Sequence, residues 1–406
     1  MGFYDDFWET FQEGLAGRNR GLPIGFPRLE RILNGIHRGR YYTLFSEGGT
    51  GKSSFVWSTF VINTLDHMIA HNKKVDEDTS MKEPAKKINR ISVKILLYSL
   101  EVVKRDVIAK MICFKIYKDY KIIISPDYIY NRIEGYKVSK PIAYLIRSYK
   151  NYFDKLEADG NLVIVDSPRS SADIARDIDL FAKANGTFSK DKNGEDRYKP
   201  NNPNEFVIPI FDTVGNIKVM PINGKSSTKS TIDDHSANCR YRYRDLLNYS
   251  PINISHANRG MSDMNRAKMG EVFPKMSDIK ETGMLEQDSS VVLTIFNPMN
   301  HIAAVSALNK FMGYDILRLG ERFRCIGVLK NRHGAVNKRV GLLYIGENAH
   351  FEELNLVRNM TTLDYQRILD LRGAMHIKTI EVMKQINKYN PEIYKKISAN
   401  LLKNSA

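Results

Sequence analysis

Eight residues carry the arrangement that most directly implies chemistry: Ser46-Glu47-Gly48-Gly49-Thr50-Gly51-Lys52-Ser53. The spacing is nearly G-x-x-x-x-G-K-[ST], with Ser46 in place of the first glycine. Glycines at 48, 49 and 51 let successive backbone N–H groups converge on phosphate oxygens. The helix expected to start here adds positive partial charge at its N-terminus. Lys52 is spaced to reach the β and γ phosphates, and Ser53 to ligate Mg²⁺. The residues expected to bind ATP are therefore Ser46, Gly48, Gly49, Thr50, Gly51, Lys52, Ser53 and Ser54.

Two carboxylates follow at the ends of apolar runs. Glu101 closes Tyr98-Ser99-Leu100-Glu101, and Asp212 closes Val207–Phe211. A carboxylate at the C-terminal end of a strand faces the ligand crevice of an open α/β sheet. Glu101 reads either as the base that deprotonates an attacking water or as a solvated residue at a helix start. Asp212 is the candidate to hold Mg²⁺ with Ser53. Pro209 lies inside the second run, where it would remove one ladder donor.

These residues need strands and helices to position them. The pattern predicts a strand at Tyr41–Phe45, a helix over Ser54–Asp66, a strand at Val93–Ser99 and a helix from Val102 to about Tyr117. Further strands are expected at Leu162–Val165, Val207–Phe211, Ile252–Ser255, Val291–Phe296, Arg324–Leu329 and a pair near Val340–Ile345. A helix is expected over about Ile232–Tyr249, and two over Thr361–Leu402. Short apolar strands alternating with helices indicate an α/β fold with a mostly parallel sheet covered on both faces. Polar stretches at 71–90 and 185–205 read as loop insertions, and 215–231, rich in Gly, Ser, Thr and Lys, as a mobile segment. At the start, Tyr4, Phe7, Trp8, Phe11 and Leu15 recur at helical spacing. That aromatic stripe is expected to pack on its own core or, because Gly17–Gly21 breaks the chain after it, on a neighbouring subunit.

Taken in order, these pieces resemble the ATPase domain of the DnaB-type replicative DNA helicases, a branch of the RecA-like superfamily. The likeness begins at Gly21-Leu22-Pro23-Ile24-Gly25-Phe26, passes through Leu29, Gly35 and Gly39, and enters the phosphate loop. Ser99-Leu100-Glu101 is similar to the family's S-L-E, whose Glu is the catalytic base. His256-Ala257-Asn258-Arg259 falls where the family senses the γ-phosphate. The most specific stretch is 277–293, Ser-Asp-Ile-Lys-Glu-Thr-Gly-Met-Leu-Glu-Gln-Asp-Ser-Ser-Val-Val-Leu. Lys330-Asn331-Arg332-His333-Gly334 resembles the K-x-R-x-G element, whose cations reach the nucleotide of the adjacent subunit. In GTPases a trans-acting arginine is worth roughly 10³–10⁵ in rate.

The resemblance implies a RecA-like P-loop NTPase core over 21–355, a linker helix in 1–20 and a C-terminal helical extension over 356–406. It implies an ATP-dependent helicase working as a ring, a hexamer, on single-stranded DNA. The catalytic set would be Glu101, Lys52, His256, Lys330 and Arg332, with Ser53 and Asp212 on Mg²⁺. Primase or a helicase loader are the further partners it suggests. The family's N-terminal collar domain has no counterpart in these residues, and Ser290 and Glu30 depart from its pattern. A compact member of this kind suits a bacteriophage, which would place it in the cytoplasm of a bacterial host. The alternatives are a RecA-type recombinase filament and an ATP-binding structural or loading protein on DNA.

The segment after His256 carries Arg259, Arg266, Lys268 and Lys275, and the segment after Asp212 carries Lys218, Lys225 and Lys229. Flexible basic loops suit sequence-independent tracking of DNA phosphates, or are simply solvated. The cluster Arg240-Tyr241-Arg242-Tyr243-Arg244 sits on a predicted helix and reads as part core, part surface.

Lys and Arg number 61 against 46 Asp and Glu, a formal charge of +15 over 406 residues. That surplus fits a polyanionic partner or a lysine-rich composition with a solvated basic surface. The three cysteines, Cys113, Cys239 and Cys325, match neither a metal-site nor a disulfide spacing. No apolar run approaches the ~20 residues that cross a bilayer, and the first residues lack a basic signal-peptide region. A soluble, cytoplasmic protein is expected.

Overall fold

A computed structural model describes the chain except residues 1–2, 16, 18, 84, 222–226, 263–265, 267–270, 281, 302–309, 372–374, 376–377 and 404–406. The described strands are β1 (Tyr42–Ser46), β2 (Ser92–Ser99), β3 (Leu162–Val165), β4 (Gly186–Lys190), β5 (Asp196–Pro200), β6 (Glu205–Asp212), β7 (Ile252–His256), β8 (Val291–Phe296), β9 (Lys310–Phe311), β10 (Tyr314–Asp315), β11 (Phe323–Asn331), β12 (Lys338–Ile345) and β13 (His350–Glu353). Nine of them form one sheet in the order β13-β12-β11-β8-β1-β7-β6-β2-β3. From β8 to β3 the pairing is parallel, and β11, β12 and β13 extend it antiparallel.

The parallel strands are apolar on both faces because helices cover both. On one face Leu44, Ile95, Leu97, Ile208, Ile210, Ile252, Ile254 and Leu293 pack with the helical residues Phe55, Phe60, Val107 and Phe114. On the other, Tyr41, Phe45, Tyr98, Val207 and Phe211 pack with Ile174, Ile178, Ile232 and Tyr243. Pro209 fits inside β6 for a local reason. Val207 C=O receives the Ser250 N–H at 2.9 Å, so alternate residues turn their polar groups toward β7. The β6–β7 ladder starts only at Ile210–Ile252, one residue beyond the proline.

Several elements differ from the pattern reading. The helix after the phosphate loop does not stop near Asp66. It runs as Lys52–Phe55, a π-helical Val56–Asn63 and Thr64–Glu77, so the polar stretch 71–90 is partly helix, followed by a short helix Ala85–Asn89. The turn-rich 185–205 is an antiparallel hairpin, β4 with β5, seated by Phe188 and Tyr198 against Tyr249. In the segment expected to be mobile, Val214–Asn216 forms a 3-10 turn and Ile217 is buried. Lys225 lies outside the described residues.

Helices Pro126–Ile129, Lys140–Ser148 and Lys150–Ala158 have no counterpart in the pattern reading. They matter for the tail, whose described residues form three helices where two were expected: Thr362–Asp370, Thr379–Tyr389 and Pro391–Lys403. Val382, Ile386 and Ile397 of the tail share a core with Cys113, Ile116, Tyr120, Ile142 and Leu145. The last helices therefore fold back onto Lys104–Tyr120 and Lys140–Ser148.

The aromatic helix Phe3–Leu15 forms as its spacing predicts, and its stripe stays in solvent. Tyr4 is 61 % exposed, Phe7 58 % and Trp8 48 %. Trp8 touches Tyr4 and Phe11 of its own helix.

Candidate nucleotide site

The phosphate loop follows β1, whose register places its end beside the ends of its neighbours. Ser46 pairs with His256 at the end of β7, and Ser99 of β2 pairs with Asp212 at the end of β6. Glu101 follows β2 by two residues. Phosphate loop, His256, Asp212 and Glu101 thus share the C-terminal rim of the parallel strands, where open α/β sheets hold ligands.

Inside the loop each residue has a physical role. Gly49 and Gly51 have φ of 72° and 98°, conformations that L side chains resist. A Cβ on Gly51 would also lie 2.8 Å from the Tyr344 ring. Ser46, the departure from the usual glycine, is fully buried, and its hydroxyl bonds Thr50 Oγ1. Thr50 Oγ1 also donates to Glu47 O at 3.0 Å, so two hydroxyls staple the turn. Glu47 is held in turn by His301, with Nε2 at 3.0 Å from its carboxylate.

Lys52 is buried and donates to Ser46 O at 3.0 Å and Glu47 O at 2.8 Å. Its Nζ lies 3.4 Å from His256 Nδ1. Burial lowers its pKa to about 8 against the opposing pull of Asp212, Glu101 and Glu47. Asp212 is buried as well, and desolvation raises its carboxyl to about 7. Ser53 Oγ donates to Asp212 Oδ1 at 3.0 Å, while Oδ2 is buried with no hydrogen-bond partner. An orphaned carboxylate oxygen beside a serine hydroxyl is a donor set of hard oxygens, and it fits Mg²⁺. Glu101 is half-exposed, with Oε2 3.9 Å from His256 Nε2. Burial, then the Lys52 charge, lowers the His256 pKa. A cleft of about 660 Å³ lined by Met299, Leu317, Arg322, Tyr344 and Glu347 opens on the Tyr344 side of the loop.

Lys330 and Arg332 are not part of this cluster. Asn331 pairs with Val291, which pairs with Tyr42 at the start of β1. The five residues of β1 put them about 13 Å or more from the loop, at the opposite rim. There Lys330 Nζ donates to Glu286 O at 2.5 Å and Gln287 O at 3.1 Å, and Arg332 to Gln287 O at 2.7 Å.

The residues expected at DNA are divided. Arg266 forks onto buried Asp278 at 2.7 and 3.0 Å, which anchors its own segment rather than presenting a free cation. Lys275 is exposed and paired with Glu271. The side chain of Arg259 and all of Lys268 lie outside the described residues. In the arginine–tyrosine cluster, Tyr243 is buried and Tyr241 exposed, while Arg240 and Arg242 pair with Asp288 and Asp179.

One residue at the loop escaped the sequence reading. Arg324 of β11 is 4 % exposed and donates from Nε to Thr50 O at 2.9 Å. The available signal was a cation inside the apolar run Phe323–Val328.

A mostly parallel sheet with a phosphate loop and two carboxylates at its C-terminal rim defines a RecA-like P-loop α/β fold. Among solved structures, the chain is similar to the ATPase domain of a helicase from phage SPP1, with TM-score 0.59 and 18% identity over 87% of this chain and 100% of that one. It is also similar to a DnaB-like replicative helicase described with its interactions with primase, with TM-score 0.57 and 17% identity over 87% of this chain and 67% of that one. At these identities the likeness establishes the fold. No protein-family model and no curated protein sequence matches the chain. Among the described residues no helix is long and apolar enough to cross a membrane.

Proposed function

We propose that this protein is an ATP-driven DNA helicase motor that works as a ring oligomer on single-stranded DNA. The observation that carries the reading is the division of cationic and phosphate-binding groups between opposite rims of one sheet. Lys52, Ser53, Asp212 and Glu101 gather at one rim, and Lys330 and Arg332 at the other. Two copies set head to tail would bring the second group to the first, a heterologous contact that makes a ring when its rotation closes and a filament when it does not.

On this reading the loop N–H groups and Lys52 hold the phosphates, which requires Lys52 to leave the carbonyls of Ser46 and Glu47. Ser53 and Asp212 would hold Mg²⁺, which neutralises phosphate charge when bound. Glu101 accepts a proton from the attacking water, a role its half-exposed position permits. Lys330 and Arg332 of one copy stabilise charge developing at the next copy's nucleotide. His256, between Lys52 and Glu101, links the γ-phosphate position to the segment that follows it. Arg259, Lys268 and Lys275 are the proposed DNA contacts, and Arg266 supports that segment through Asp278. The cleft beside Tyr344 accommodates base and ribose. Primase or a loader would be the macromolecular partners.

The test is ATP-driven separation of a forked duplex with single-stranded tails, with Lys52→Ala as control. Separation by the wild type alone supports a motor and gives its polarity. ATP turnover and DNA binding with no strand separation would sink the helicase reading for this chain. Closed rings in electron micrographs would exclude the filament alternative.

A further inference from the structure

Among the described residues, Arg324 is a buried cation without a buried counter-ion. Its guanidinium donates to three backbone carbonyls: Thr50 O at 2.9 Å, Glu321 O at 2.9 Å and Phe323 O at 2.7 Å. It also lies over the Tyr344 ring, 5.0 Å from its centroid. Among the described residues the carboxylate within 4 Å is that of Glu321, at 3.9 Å and 72 % exposed. Burial lowers the Arg324 pKa, with Arg322 adding to the effect. Hydrogen bonds to carbonyls satisfy its donors but leave its charge without a buried partner, and burying an uncompensated charge is costly. Something other than folding should account for an arginine here.

The Thr50 peptide suggests what that is. In a planar trans peptide the C=O of Thr50 and the N–H of Gly51 point in opposite directions. Arg324 draws the carbonyl toward the core, so the Gly51 N–H is turned away from it, toward the space the loop encloses. The same arginine backs Tyr344, the ring that a Gly51 side chain would strike, and Tyr344 Oη reaches Ser54 Oγ at 3.4 Å. One cation therefore fixes both the peptide plane and the packing of the loop's tightest residue.

We propose that Arg324 is a positioning residue whose missing counter-ion is the nucleotide's polyphosphate. It presets the Thr50–Gly51 peptide and adds positive potential behind the loop. The inference rests on the nucleotide reading of that loop. It requires the effect to grow with phosphate charge, which a purely structural role does not.

The experiment compares wild type, Arg324→Leu, Arg324→Gln and Arg324→Lys as full chains. Thermal unfolding is followed without nucleotide and with MgATP or MgADP, alongside titrations with fluorescent ATP and ADP analogues. The expected result is that Arg324→Leu folds, with a lowered unfolding temperature from three carbonyls left without their donor, equal with and without nucleotide in its structural part. Its ATP affinity falls tenfold or more, its ADP affinity falls less, and Arg324→Lys recovers most of both. If Leu proves insoluble, Gln gives the same ATP-to-ADP comparison. Equal losses for ATP and ADP, or an unchanged ATP shift, overturn the proposal. A wild type with no Lys52-dependent ATP shift overturns the nucleotide reading itself, which separates the two failures.

Discussion

Gly51 concentrates the constraints of the loop in a single residue. Its φ of 98° and the 2.8 Å approach of Tyr344 both exclude a side chain. Gly51→Ala should lose about 1–2 kcal/mol from the backbone alone, and more from the displaced ring. Equilibrium urea unfolding would report that loss, and ATP titration should find binding abolished. Gly48→Ala is the contrast, because its Cβ would meet nothing within 4 Å. That variant should fold normally. Lys330→Ala and Arg332→Ala should behave differently again. Neither touches its own loop, so nucleotide affinity should hold while turnover falls by roughly a hundredfold or more. A matching fall in affinity would show that these cations act within their own subunit.

The aromatic N-terminal helix illustrates what an element can and cannot announce in sequence. Its periodicity fixed the helix, and the structure adds that the stripe has no core of its own to cover it among the described residues. Phe7→Ser with Trp8→Ser should therefore leave the unfolding temperature nearly unchanged and shift the protein toward monomers in sedimentation velocity. A large drop in thermal stability with unchanged mass would place the stripe inside the subunit instead. The parallel strands were legible for a similar reason: apolar runs end at polar residues on the ligand rim, as Val207–Phe211 does at Asp212 and Ile252–Ser255 at His256. Arg324 was not legible as a loop residue, since its partner Thr50 lies 274 positions away and no local pattern links them. The helix Lys140–Ser148 carries a signal that the pattern reading passes over, Ile142, Leu145 and Ile146 at helical spacing after Pro141, and its apolar face meets tail residues such as Val382 and Ile386. The hairpin at 185–205 looks like loop in sequence because its turn formers, Asn193-Gly194 among them, outweigh two short polar strands.

At the scale of the whole molecule, one buried histidine links stability to pH. His235 is fully buried, its Nε2 3.2 Å from Asn253 Oδ1 and its ring edge-on to Phe211 at 4.4 Å. Desolvation lowers its pKa to about 4, against 6.5 in the unfolded chain. The unfolded state therefore binds a proton below pH 6.5 that the folded state refuses. The His235 contribution to stability is intact above pH 6.5 and falls as pH drops toward 4, by about 3 kcal/mol over that interval, while Asp212, raised to about 7, contributes with the opposite sign. The stability difference between wild type and His235→Gln in urea unfolding, followed from about pH 7.5 to about 4.5, should change by about this amount, and a pH-independent difference would remove the His235 linkage. The formal charge of +15 makes a second prediction for the whole chain. Single-stranded DNA binding should weaken linearly in log salt, with a slope of about 0.7 per phosphate contacted. Salt-independent binding would remove the electrostatic basis of the DNA assignment.

The placement of Lys330 and Arg332 at the rim away from the phosphate loop has a genetic corollary. A protein that borrows part of its active site is vulnerable to mixtures. In the proposed ring, an Arg332→Ala copy would keep a sound loop and spoil the pocket it faces, whereas a Lys52→Ala copy would spoil its own pocket and still lend sound cations. Co-expressed with wild type, each variant should inactivate one site per defective copy, in proportion to its share of the population. Mixed with one another, two dead variants should regain partial turnover.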